Sequence, residues 1–563
     1  MHPNPIKTRE QFTLLNDWEF SFDKVNWTKI RVPFCPESKL SGIGHTDFIH
    51  ECYYKTHFTP EQDSERVVLH FGAVDYRCEV FVNGKHVGGH VGGYTPFELD
   101  IKEYLGENGA DILLEVYDNE QIAHAFGKQS YKKNSFGCFY TRTTGIWQPV
   151  WVEYTPKAYV RDFYFYPHPE TGSVYVDFYS IGCEKYKVEI YYGDKLVGKS
   201  EGEFAYRLRK EIELSEIHLW EIGKGELYDV VLTFGQDVVR SYFGLRSVKY
   251  DGYKFLLNGK ETFQKLVLDQ GFNPDGIYTS PSSEFMQNDI RLALDLGFNG
   301  ARLHQKVFEP EFLYYCDKMG YIVWAEYPSW GVDNSNFAGI GQFIAEWEEE
   351  LRRDFNHPSI ITWCPLNEMW GNWDDFRQQP DFRYPDVVYE FTKRFDSTRP
   401  CVDTSGGVHG EHTDVFDFHS YHGVDDLKKA LDDWDTKGIL YGDVVHIHES
   451  TRRYKVGEPV NLSEYGGIAF VAPDRLAPDE ELGTSGHSET AWGYGKGEND
   501  GEKFVERYRG LTELALSYPK LSGYCYTQLY DVEQEQNGLY NYDRTDKLTE
   551  DQKRRIREIQ SKR

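Results

Sequence analysis

The stretch that decides the fold is Asn356-His357-Pro358-Ser359-Ile360-Ile361-Thr362-Trp363, which continues to Asn367-Glu368. Proline cannot continue a helix, so Pro358 marks a boundary. The apolar run at 360–363 is short enough for a buried strand. The preceding segment is a predicted amphipathic helix, whose apolar face recurs at i, i+4 spacing: Phe343, Trp347, Leu351 and Phe355. The pattern therefore predicts a helix, a turn and a buried parallel strand that ends in a polar pair.

The same alternation of short apolar runs and helical segments extends over residues 246–563. Strands that alternate with helices indicate βα units and a parallel sheet. A (β/α)8 barrel takes about 250 residues or more, and its catalytic groups lie at the C-terminal ends of its strands. We therefore expect a catalytic barrel over residues 246–563, with Asn367-Glu368 at its mouth.

Residues 1–245 contain two all-β regions. In residues 1–156 short apolar runs alternate with turn residues, and Asn83-Gly84 is a strong two-residue hairpin signal. This region predicts a β-sandwich of the jelly-roll type. In residues 157–245 several short strands, such as the one with Val174, Val176 and Phe178, suggest an immunoglobulin-like β-sandwich. The predicted architecture is thus three domains in the order jelly roll, immunoglobulin-like sandwich and TIM barrel.

The overall charge narrows the classes of partner. The chain has a formal net charge of −29 at pH 7, which disfavours the polyanions nucleic acid and anionic membrane. No apolar run reaches the roughly 20 residues that span a bilayer. The nine cysteines include no C-x-x-C pair, and the start of the chain shows no signal-peptide pattern. We expect a cytoplasmic protein with reduced thiols, and leave open whether it forms a homo-oligomer.

Two glutamates follow barrel strands in positions suited to chemistry. Glu368 follows the strand at 360–366, and Glu464 follows Pro459-Val460-Asn461-Leu462-Ser463. A charged group at a buried strand end is costly unless it has a partner or a role. Hydrolysis of a glycosidic bond needs one carboxyl to protonate the leaving oxygen and, in retaining enzymes, a second to attack the anomeric carbon. Each glutamate alone is weak support, because an N-cap or an ion pair would explain it equally well.

The surroundings of the pair resemble glycoside hydrolase family 2, the family of β-galactosidases, β-glucuronidases and β-mannosidases. The order of the three domains is itself similar to this family. The motifs that carry the resemblance lie in all three regions: Leu69-His70-Phe71-Gly72-Ala73-Val74-Asp75-Tyr76, Gly92-Gly93-Tyr94-Thr95-Pro96-Phe97, Thr144-Gly145-Ile146-Trp147-Gln148-Pro149-Val150-Trp151, Phe243-Gly244-Leu245-Arg246, Asn299-Gly300-Ala301-Arg302 and Asn461-Leu462-Ser463-Glu464-Tyr465-Gly466.

The resemblance implies a role for each residue at the centre of the site. Glu464 would be the nucleophile and Glu368 the acid/base. Asn367 would bind the 2-hydroxyl of the sugar, Arg302 would hold Glu464 ionised, and Tyr421 would donate to the nucleophile. Seven further residues are candidates for substrate binding or support: Asp269, Gln270, His304, His419, Glu326, Trp492 and Gln528. The Gly-rich stretch 483–501, which contains Trp492, is expected to form an aromatic loop over the site or an ordinary surface loop.

Two departures from the family pattern bear on the substrate. Thr527 stands where many relatives have a tryptophan platform, so the sugar floor is expected to be built from other residues or to be more open. Where β-glucuronidases have an Asn-x-Lys signature, this chain has Glu535-Gln536-Asn537. A carboxylate there would repel a uronate, so a terminal neutral sugar, β-galactose first, is the preferred substrate. β-Glucuronidase or β-galacturonidase, β-mannosidase and arabinosidase activities stay open, as does a non-catalytic carbohydrate-binding protein. No cofactor and no metal ion are expected.

Overall fold

The computed structural model describes residues 2–119, 123–369, 380–440, 452–471, 490–498 and 500–563. The jelly roll consists of two main antiparallel sheets, with strand orders β1-β12-β5-β9 and β3-β2-β4-β10-β7-β8, and a small pair, β6 and β11. Its strands are β1 (Phe12–Leu14), β2 (Asp17–Ser21), β3 (Thr28–Arg31), β4 (Glu51–Phe58), β5 (Arg66–Phe71), β6 (Val74–Asp75), β7 (Arg77–Val82), β8 (Lys85–Val91), β9 (Phe97–Asp100), β10 (Ala110–Tyr117), β11 (Gly145–Ile146) and β12 (Val150–Thr155).

Alternating side chains explain this sandwich. In β10 the residues alternate between buried and more exposed, and the buried ones, such as Ile112 and Leu114, join side chains of the facing sheet in one apolar core. The predicted hairpin is confirmed: Asn83 and Gly84 both have positive φ, +49° and +75°, and they connect the antiparallel strands β7 and β8. Two such residues are what a type I′ turn requires.

The immunoglobulin-like domain is built on long, bent strands. They are β13 (Tyr159–His168), β14 (Ser173–Tyr192), β15 (Lys195–Glu213), β16 (Tyr228–Phe234) and β17 (Asp237–Phe243). A break in register after Tyr179 divides β14, whose first half pairs with β13 and whose second half pairs with β16. Both halves contribute buried side chains to one core, Val176 from the first and Val188 from the second. The sheet therefore folds over this core as a sandwich.

The C-terminal domain is a TIM barrel with a small entry sheet. Its strands are β18 (Val248–Asp251), β19 (Lys254–Leu257), β20 (Lys260–Glu261), β21 (Gln264–Asp269), β22 (Gly300–Leu303), β23 (Ile322–Glu326), β24 (Ile360–Cys364), β25 (Phe416–Ser420), β26 (Val460–Gly466), β27 (Ile468–Phe470), β28 (Tyr494–Glu498) and β29 (Leu521–Thr527). Its helices are α1 (Ser283–Asp295), α2 (Pro310–Met319), α3 (Ile340–Asp354), α4 (Arg383–Phe395), α5 (Val424–Lys437), α6 (Gly501–Leu516) and α7 (Glu550–Gln560).

The barrel sheet is parallel, in the order β24-β23-β22-β21-β29-β26-β25. The segment 401–405 takes the place of the remaining strand, because it forms parallel bridges with Trp363 and Asn367 beside β24. Ser405 then joins the other edge of the sheet, since its Oγ lies 2.7 Å from Asp417 Oδ2 in β25. Because all strands run the same way, their C-terminal ends meet at one mouth.

The expected helix and strand around Pro358 are confirmed as α3 and β24, although the strand ends at Cys364 rather than Leu366. The predicted domain boundaries fall in the short connections between β12 and β13 and between β17 and β18. The division into residues 1–156, 157–245 and 246–563 stays a prediction.

The hairpin turn gives a test of the jelly roll. A Cβ added at Gly84 meets nothing within 4 Å, so Gly84→Ala introduces only the strain of a positive φ. We expect it to lower the free energy of unfolding by about 1–2 kcal/mol. Gly341→Ala is the matched control, because a Cβ at Gly341 also meets nothing within 4 Å. Gly341 lies in α3, where alanine is favoured over glycine by up to about 1 kcal/mol, so this change should not lower the free energy of unfolding. Calorimetric melting checks both, and a Gly84→Ala protein as stable as the wild type would contradict the turn assignment.

Candidate active site

Side chains at the mouth of the barrel converge from five neighbouring segments. Arg302 lies on β22 and Glu326 on β23, Asn367 and Glu368 follow β24, His419 lies on β25 with Tyr421 just beyond it, and Glu464 lies on β26. All of them except Tyr421 are less than a tenth exposed. The structure therefore brings together the residues that the family resemblance placed at the centre of the site.

Two carboxylates face each other across one histidine. His419 Nδ1 lies 2.7 Å from Glu368 Oε1 and 3.4 Å from Glu464 Oε2. One oxygen of each glutamate and one nitrogen of His419 lie within 4.8 Å of one another. Glu368 has a positive φ of +40°, and its N–H donates to the carbonyl of Ser405 at 2.9 Å. A non-glycine residue in this region of φ is strained, and such strain is concentrated at functional sites.

The surroundings of Glu464 favour its ionised form. Arg302 Nη1 donates to Glu464 Oε1 at 3.0 Å, and the hydroxyl of Tyr421 donates to Oε2. Burial alone would raise the pKa of Glu464, but the nearby charges of His419 and Arg302 and the Tyr421 hydrogen bond outweigh it and lower the pKa to about 2. Glu464 is therefore a carboxylate at neutral pH.

Arg302 is the most connected residue of the site and has no exposed surface. Its Nε donates to Glu326, its Nη1 also to the carbonyl of Ser463 at 2.8 Å, and its Nη2 to Asn367 Oδ1 at 3.0 Å. Burial raises the pKa of Glu326, but the charge of Arg302 outweighs this and lowers it. The planar guanidinium thus fixes these three groups together with Glu464.

His304 supports the opposite side of Glu326. Its Nδ1 lies 2.8 Å from Glu326 Oε2, which also accepts the backbone N–H of Gln305 at 3.2 Å. Burial lowers the pKa of His304 and prevails over the raising effect of Glu326. His304 and Glu326 therefore form a buried support for Arg302, and the structure shows no direct contact of either with the carboxylate pair.

The hydrogen bonds of His419 indicate an imidazolium. The hydroxyl of Ser405 is 2.7 Å from the carboxylate of Asp417, which can only accept, so Ser405 donates there and can accept from His419 Nε2 at 3.1 Å. Nδ1 faces two carboxylates and so also needs a proton. Burial lowers the pKa of His419, but the charges of Glu464 and Glu368 and the hydrogen bond to Glu368 outweigh it and raise the pKa. Sequence reasoning missed Ser405 and Asp417, because neither belongs to a motif that it used.

Two of the supporting candidates, Gln270 and Gln528, lie on a separate polar wall. Gln270 Nε2 donates to Gln528 Oε1 at 2.9 Å, Gln528 Nε2 to Asn537 Oδ1 at 2.8 Å, and Asn537 Nδ2 to Glu535 Oε1 at 3.0 Å. Asp269, which precedes Gln270 in the chain, instead accepts a hydrogen bond from the hydroxyl of Tyr530. Burial, assisted by the charge of Asp289, raises the pKa of Asp269 to about 6. The structure thus places Gln270 and Gln528 in one chain that ends at a carboxylate.

Trp492 holds two loops together. It has no exposed surface, its indole N–H donates to the carbonyl of Gly137 at 2.7 Å, and its backbone pairs with the loop at Gln534 and Gln536. An aromatic surface beside the nucleophile comes instead from Tyr421 and Tyr494, whose rings stack 3.6 Å apart. Thr527 lies beside them, with its Oγ1 3.1 Å from the hydroxyl of Tyr421.

Parts of two predicted loops lie outside the described residues. They are residues 370–372 after Glu368, and residues 483–489 and 499 of the Gly-rich stretch.

A loop of the jelly roll, residues 123–142, extends to the mouth of the barrel. On one side the N–H of Phe126 donates to the carbonyl of Trp330 at 2.9 Å. On the other side the hydroxyl of Tyr140 donates to Glu535 Oε2 at 2.6 Å, and the N–H of Thr141 bonds to Glu533 at 3.1 Å. We name residues 123–142 the jelly-roll loop. It connects the segment after β23 with the segment after β29.

Glu368, His419 and Glu464 also have the spacing of metal ligands. The guanidinium of Arg302 lies 3.0 Å from Glu464, however, and already supplies the positive charge that this carboxylate needs. We therefore interpret the three residues as a carboxylate pair with a cationic histidine between them. The expectation that no metal ion takes part stays a prediction.

Comparison with known families decides the classification. The model for the sugar-binding domain of glycosyl hydrolases family 2 matches residues 13–140, and that for the TIM barrel domain of the same family matches residues 249–474. Together they cover more than half of the chain. The protein belongs to glycoside hydrolase family 2.

Individual relatives of this family 2 member are distant. A β-galactosidase of Thermoanaerobacter pseudethanolicus is 26% identical over 418 residues, which are 70% of this chain and 53% of that protein. A β-glucuronidase of Streptococcus agalactiae is 25% identical, with 65% and 68% covered. The β-D-glucuronidase structure from Dictyoglomus thermophilum has a TM-score of 0.79 at 22% identity and covers 99% of this chain and 98% of that one. The chain thus spans about half the length of the β-galactosidase, while the solved fold matches from end to end.

Two further sequence predictions have structural outcomes. All nine cysteines lie within the described residues and are free thiols, as expected. Among the described residues, no helix has both the length and the apolar character needed to cross a bilayer.

The charge state of His419 is testable by NMR. In protein with 15N-labelled histidine, we expect His419 to titrate above the ordinary histidine value of about 6.5, since two carboxylates face it. Ser405→Ala removes the acceptor for Nε2–H and should lower this pKa. His304, whose pKa burial lowers, is the internal control and should stay neutral at pH 6.5. A His419 signal that is neutral at pH 6.5 in the wild type would contradict the assignment.

Proposed function

We propose that this family 2 protein is a retaining exo-β-glycosidase that removes a terminal neutral sugar, β-galactose first, by double displacement. The observation that carries the proposal is the close approach of Glu368 and Glu464, with oxygens within 4.8 Å and Glu464 ionised. Retaining glycosidases hold their carboxyl groups roughly 5–5.5 Å apart, whereas inverting ones leave room for a water at roughly 6.5–9.5 Å. The short separation supports direct attack by a carboxylate.

In the first step, Glu464 attacks the anomeric carbon while Glu368 gives its proton to the leaving oxygen. The bond from the sugar to the aglycone breaks, and a glycosyl ester of Glu464 forms. In the second step Glu368, now a carboxylate, takes a proton from water, which attacks the anomeric carbon and releases Glu464. His419 lies between the two carboxylates, and its positive charge stabilises whichever of them is ionised.

The hydrogen-bond partners of Asn367 and Tyr421 support specific roles. Asn367 Oδ1 accepts from Arg302, which leaves the amide Nδ2–H groups of Asn367 to donate to a sugar hydroxyl, such as the 2-hydroxyl. A contact of this kind strengthens as positive charge develops on the sugar. The hydroxyl of Tyr421 holds the second oxygen of Glu464 and leaves Oε1 to Arg302. Both carboxylate oxygens are thereby fixed before the substrate arrives.

The carboxylate of Glu535 supports a neutral sugar over a uronate. It is 2% exposed and accepts hydrogen bonds from Asn537 and Tyr140. Burial raises the pKa of Glu535, while the charge of Lys128 and these two hydrogen bonds oppose the rise and favour the ionised form. The carboxylate of a uronate would lie close to that of Glu535 with little water between them. The repulsion between the two negative charges would then be only weakly screened. Among the alternatives, β-glucuronidase and β-galacturonidase are the names of several relatives and structural neighbours, so uronides belong in the test.

The first experiment measures hydrolysis of nitrophenyl glycosides: the β-galactoside, β-glucoside, β-mannoside, β-glucuronide, β-galacturonide and α-L-arabinosides. We expect turnover of a neutral glycoside. Glu464→Ala should reduce kcat by at least about a thousandfold, whereas Glu368→Ala should reduce it less on these substrates, because a nitrophenyl leaving group needs little acid assistance. Azide should rescue both variants with opposite stereochemistry. Glu464→Ala would yield the α-glycosyl azide, because azide replaces the nucleophile, and Glu368→Ala the β-glycosyl azide.

Glu211→Gln is the control, because Glu211 is exposed and lies in the immunoglobulin-like domain. It should leave turnover unchanged. Retention of full activity by the Glu464→Ala protein would refute the proposed mechanism. If the wild type bound sugars without cleaving any glycoside, the binding-protein alternative would take its place.

The acidic side of the pH profile tests the support of Glu464. Its pKa is held near 2 in the folded protein, so it is ionised, and ready to attack, at every pH well above that value. Tyr421→Phe removes one donor and Arg302→Lys weakens another, so the pKa of Glu464 should rise in both. We expect kcat/KM at pH 4 to fall more steeply than at pH 7. Tyr175→Phe removes a similar Tyr–Glu hydrogen bond far from the site and is the control. An unchanged acidic limb in both site variants would exclude the assigned role.

A further inference from the structure

The jelly-roll loop contains a nearly buried lysine, Lys128. Lys128 is 6% exposed, and its Nζ lies 3.7 Å from the ring centroid of Trp330. Within the described ranges, its ammonium forms no ion pair and no side-chain hydrogen bond. A nearly buried ammonium is costly unless hydrogen-bond acceptors satisfy it, and a cation–π contact repays only part of that cost. Its three N–H donors are therefore available to a ligand.

The position of Lys128 directs those donors to the active site. Trp330, beneath the ammonium, donates its indole N–H to the carbonyl of Asn367 at 3.0 Å, so one ring separates Lys128 from the residue before Glu368. The carbonyl of Lys128 accepts the N–H of Tyr140 at 2.8 Å, and the hydroxyl of Tyr140 bonds to Glu535. The backbone hydrogen bond between Lys128 and Tyr140 thus positions both Lys128 and the tyrosine that binds Glu535.

Glu535, at the end of the polar wall formed with Gln270, Gln528 and Asn537, is the acceptor that complements the Lys128 donor. The amides of Gln270, Gln528 and Asn537 form a chain of hydrogen bonds in which each donates in the direction of Glu535, the order that suits a carboxylate acceptor. Among the described residues, each carboxylate oxygen of Glu535 accepts one side-chain hydrogen bond, Oε1 from Asn537 and Oε2 from Tyr140, and has a second lone pair to spare. Burial raises the pKa of Glu535 and the charge of Lys128 opposes this, so the two residues act on each other electrostatically without forming an ion pair.

We propose that Lys128 and Glu535 bind the hydroxyl groups of a terminal neutral sugar between them, Lys128 as donor and Glu535 as acceptor. The proposal rests on the proposed function and names how the sugar is selected. A hydroxyl donates one hydrogen bond and accepts others, so an ammonium and a carboxylate together satisfy it. Their charges cancel, which suits an uncharged sugar. The jelly roll is then part of the sugar site and not only a support for the barrel.

The test uses the full-length enzyme and matched substrates that differ only at C6: the nitrophenyl β-galactoside against the β-galacturonide, and the β-glucoside against the β-glucuronide. Lys128→Met keeps the length of the side chain and removes its charge. We expect kcat/KM on the neutral glycoside to fall by about tenfold to a hundredfold, the range for loss of a charged hydrogen bond, mainly through KM. Lys128→Arg should recover part of this loss.

Lys132→Met is the matched control, because Lys132 belongs to the same loop and lies 3.8 Å above the ring of Phe136, but is exposed. It should leave KM and kcat unchanged. Glu535→Gln should also raise KM on the neutral glycoside. Because both substitutions act on one sugar, their effects should be less than additive in the double variant. Melting temperatures within a few degrees of the wild type confirm that each variant is folded.

Two outcomes would overturn the proposal while leaving the two-glutamate mechanism intact. In the first, Lys128→Met cleaves the neutral glycoside with the KM of the wild type. In the second, the wild type prefers a uronide and Lys128→Met loses that preference, which would make Lys128 a carboxylate-binding residue and would also refute the neutral-sugar part of the proposed function. A wild type that cleaves no glycoside, or Glu464→Ala that remains active, would instead refute the proposed function itself.

Discussion

The buried guanidinium of Arg302 is the interaction on which the rest of the site depends. It has no exposed surface and bonds to the carboxylates of Glu326 and Glu464 and to the amide oxygen of Asn367. A charge so buried is strongly unfavourable without such partners, and they come from three strands of the barrel. The parallel sheet must therefore close in this register for Arg302 to be satisfied. In return, its charge keeps Glu464 ionised in a site from which water is largely excluded.

The second constraint is the way the domains meet. The jelly-roll loop lies between Trp330 and the segment 533–536, so the wall of the barrel mouth is partly made by the first domain. Trp492, which has no exposed surface, fastens the same loop from the barrel side. The proposed catalytic pair thus comes entirely from the barrel domain, whereas the sugar site proposed around it draws on two domains. Under these two proposals the barrel supplies the chemistry and the jelly roll contributes to selection of the sugar.

The order of the domains, the hairpin at Asn83-Gly84 and the strand after Pro358 could be predicted, because each depends on local residue types and spacing. The residues around the carboxylates could be named through the motifs of a family. The sequence did not reveal Ser405, Asp417 or Lys128, since each acts through contacts between segments distant in the chain. Ser405 lies in the segment 401–405, which forms isolated bridges where a regular strand of the barrel would be. Lys128 belongs to the jelly roll and contacts Trp330 of the barrel domain. The contacts of Trp492 and Asp269 in the structure are with protein groups, and their part in sugar binding stays a prediction.

The central claim is that Glu464 attacks the sugar and forms a covalent intermediate. The most direct measurement treats the enzyme with an activated 2-deoxy-2-fluoro glycoside of the sugar that it cleaves, and identifies the labelled peptide by mass spectrometry. The fluorine destabilises the oxocarbenium-like transition states of both steps, and the good leaving group allows the first to proceed, so the intermediate accumulates. We expect one sugar attached to Glu464 and loss of activity in proportion to labelling. A label on another residue, or rapid turnover to a product of inverted configuration without any label, would contradict it.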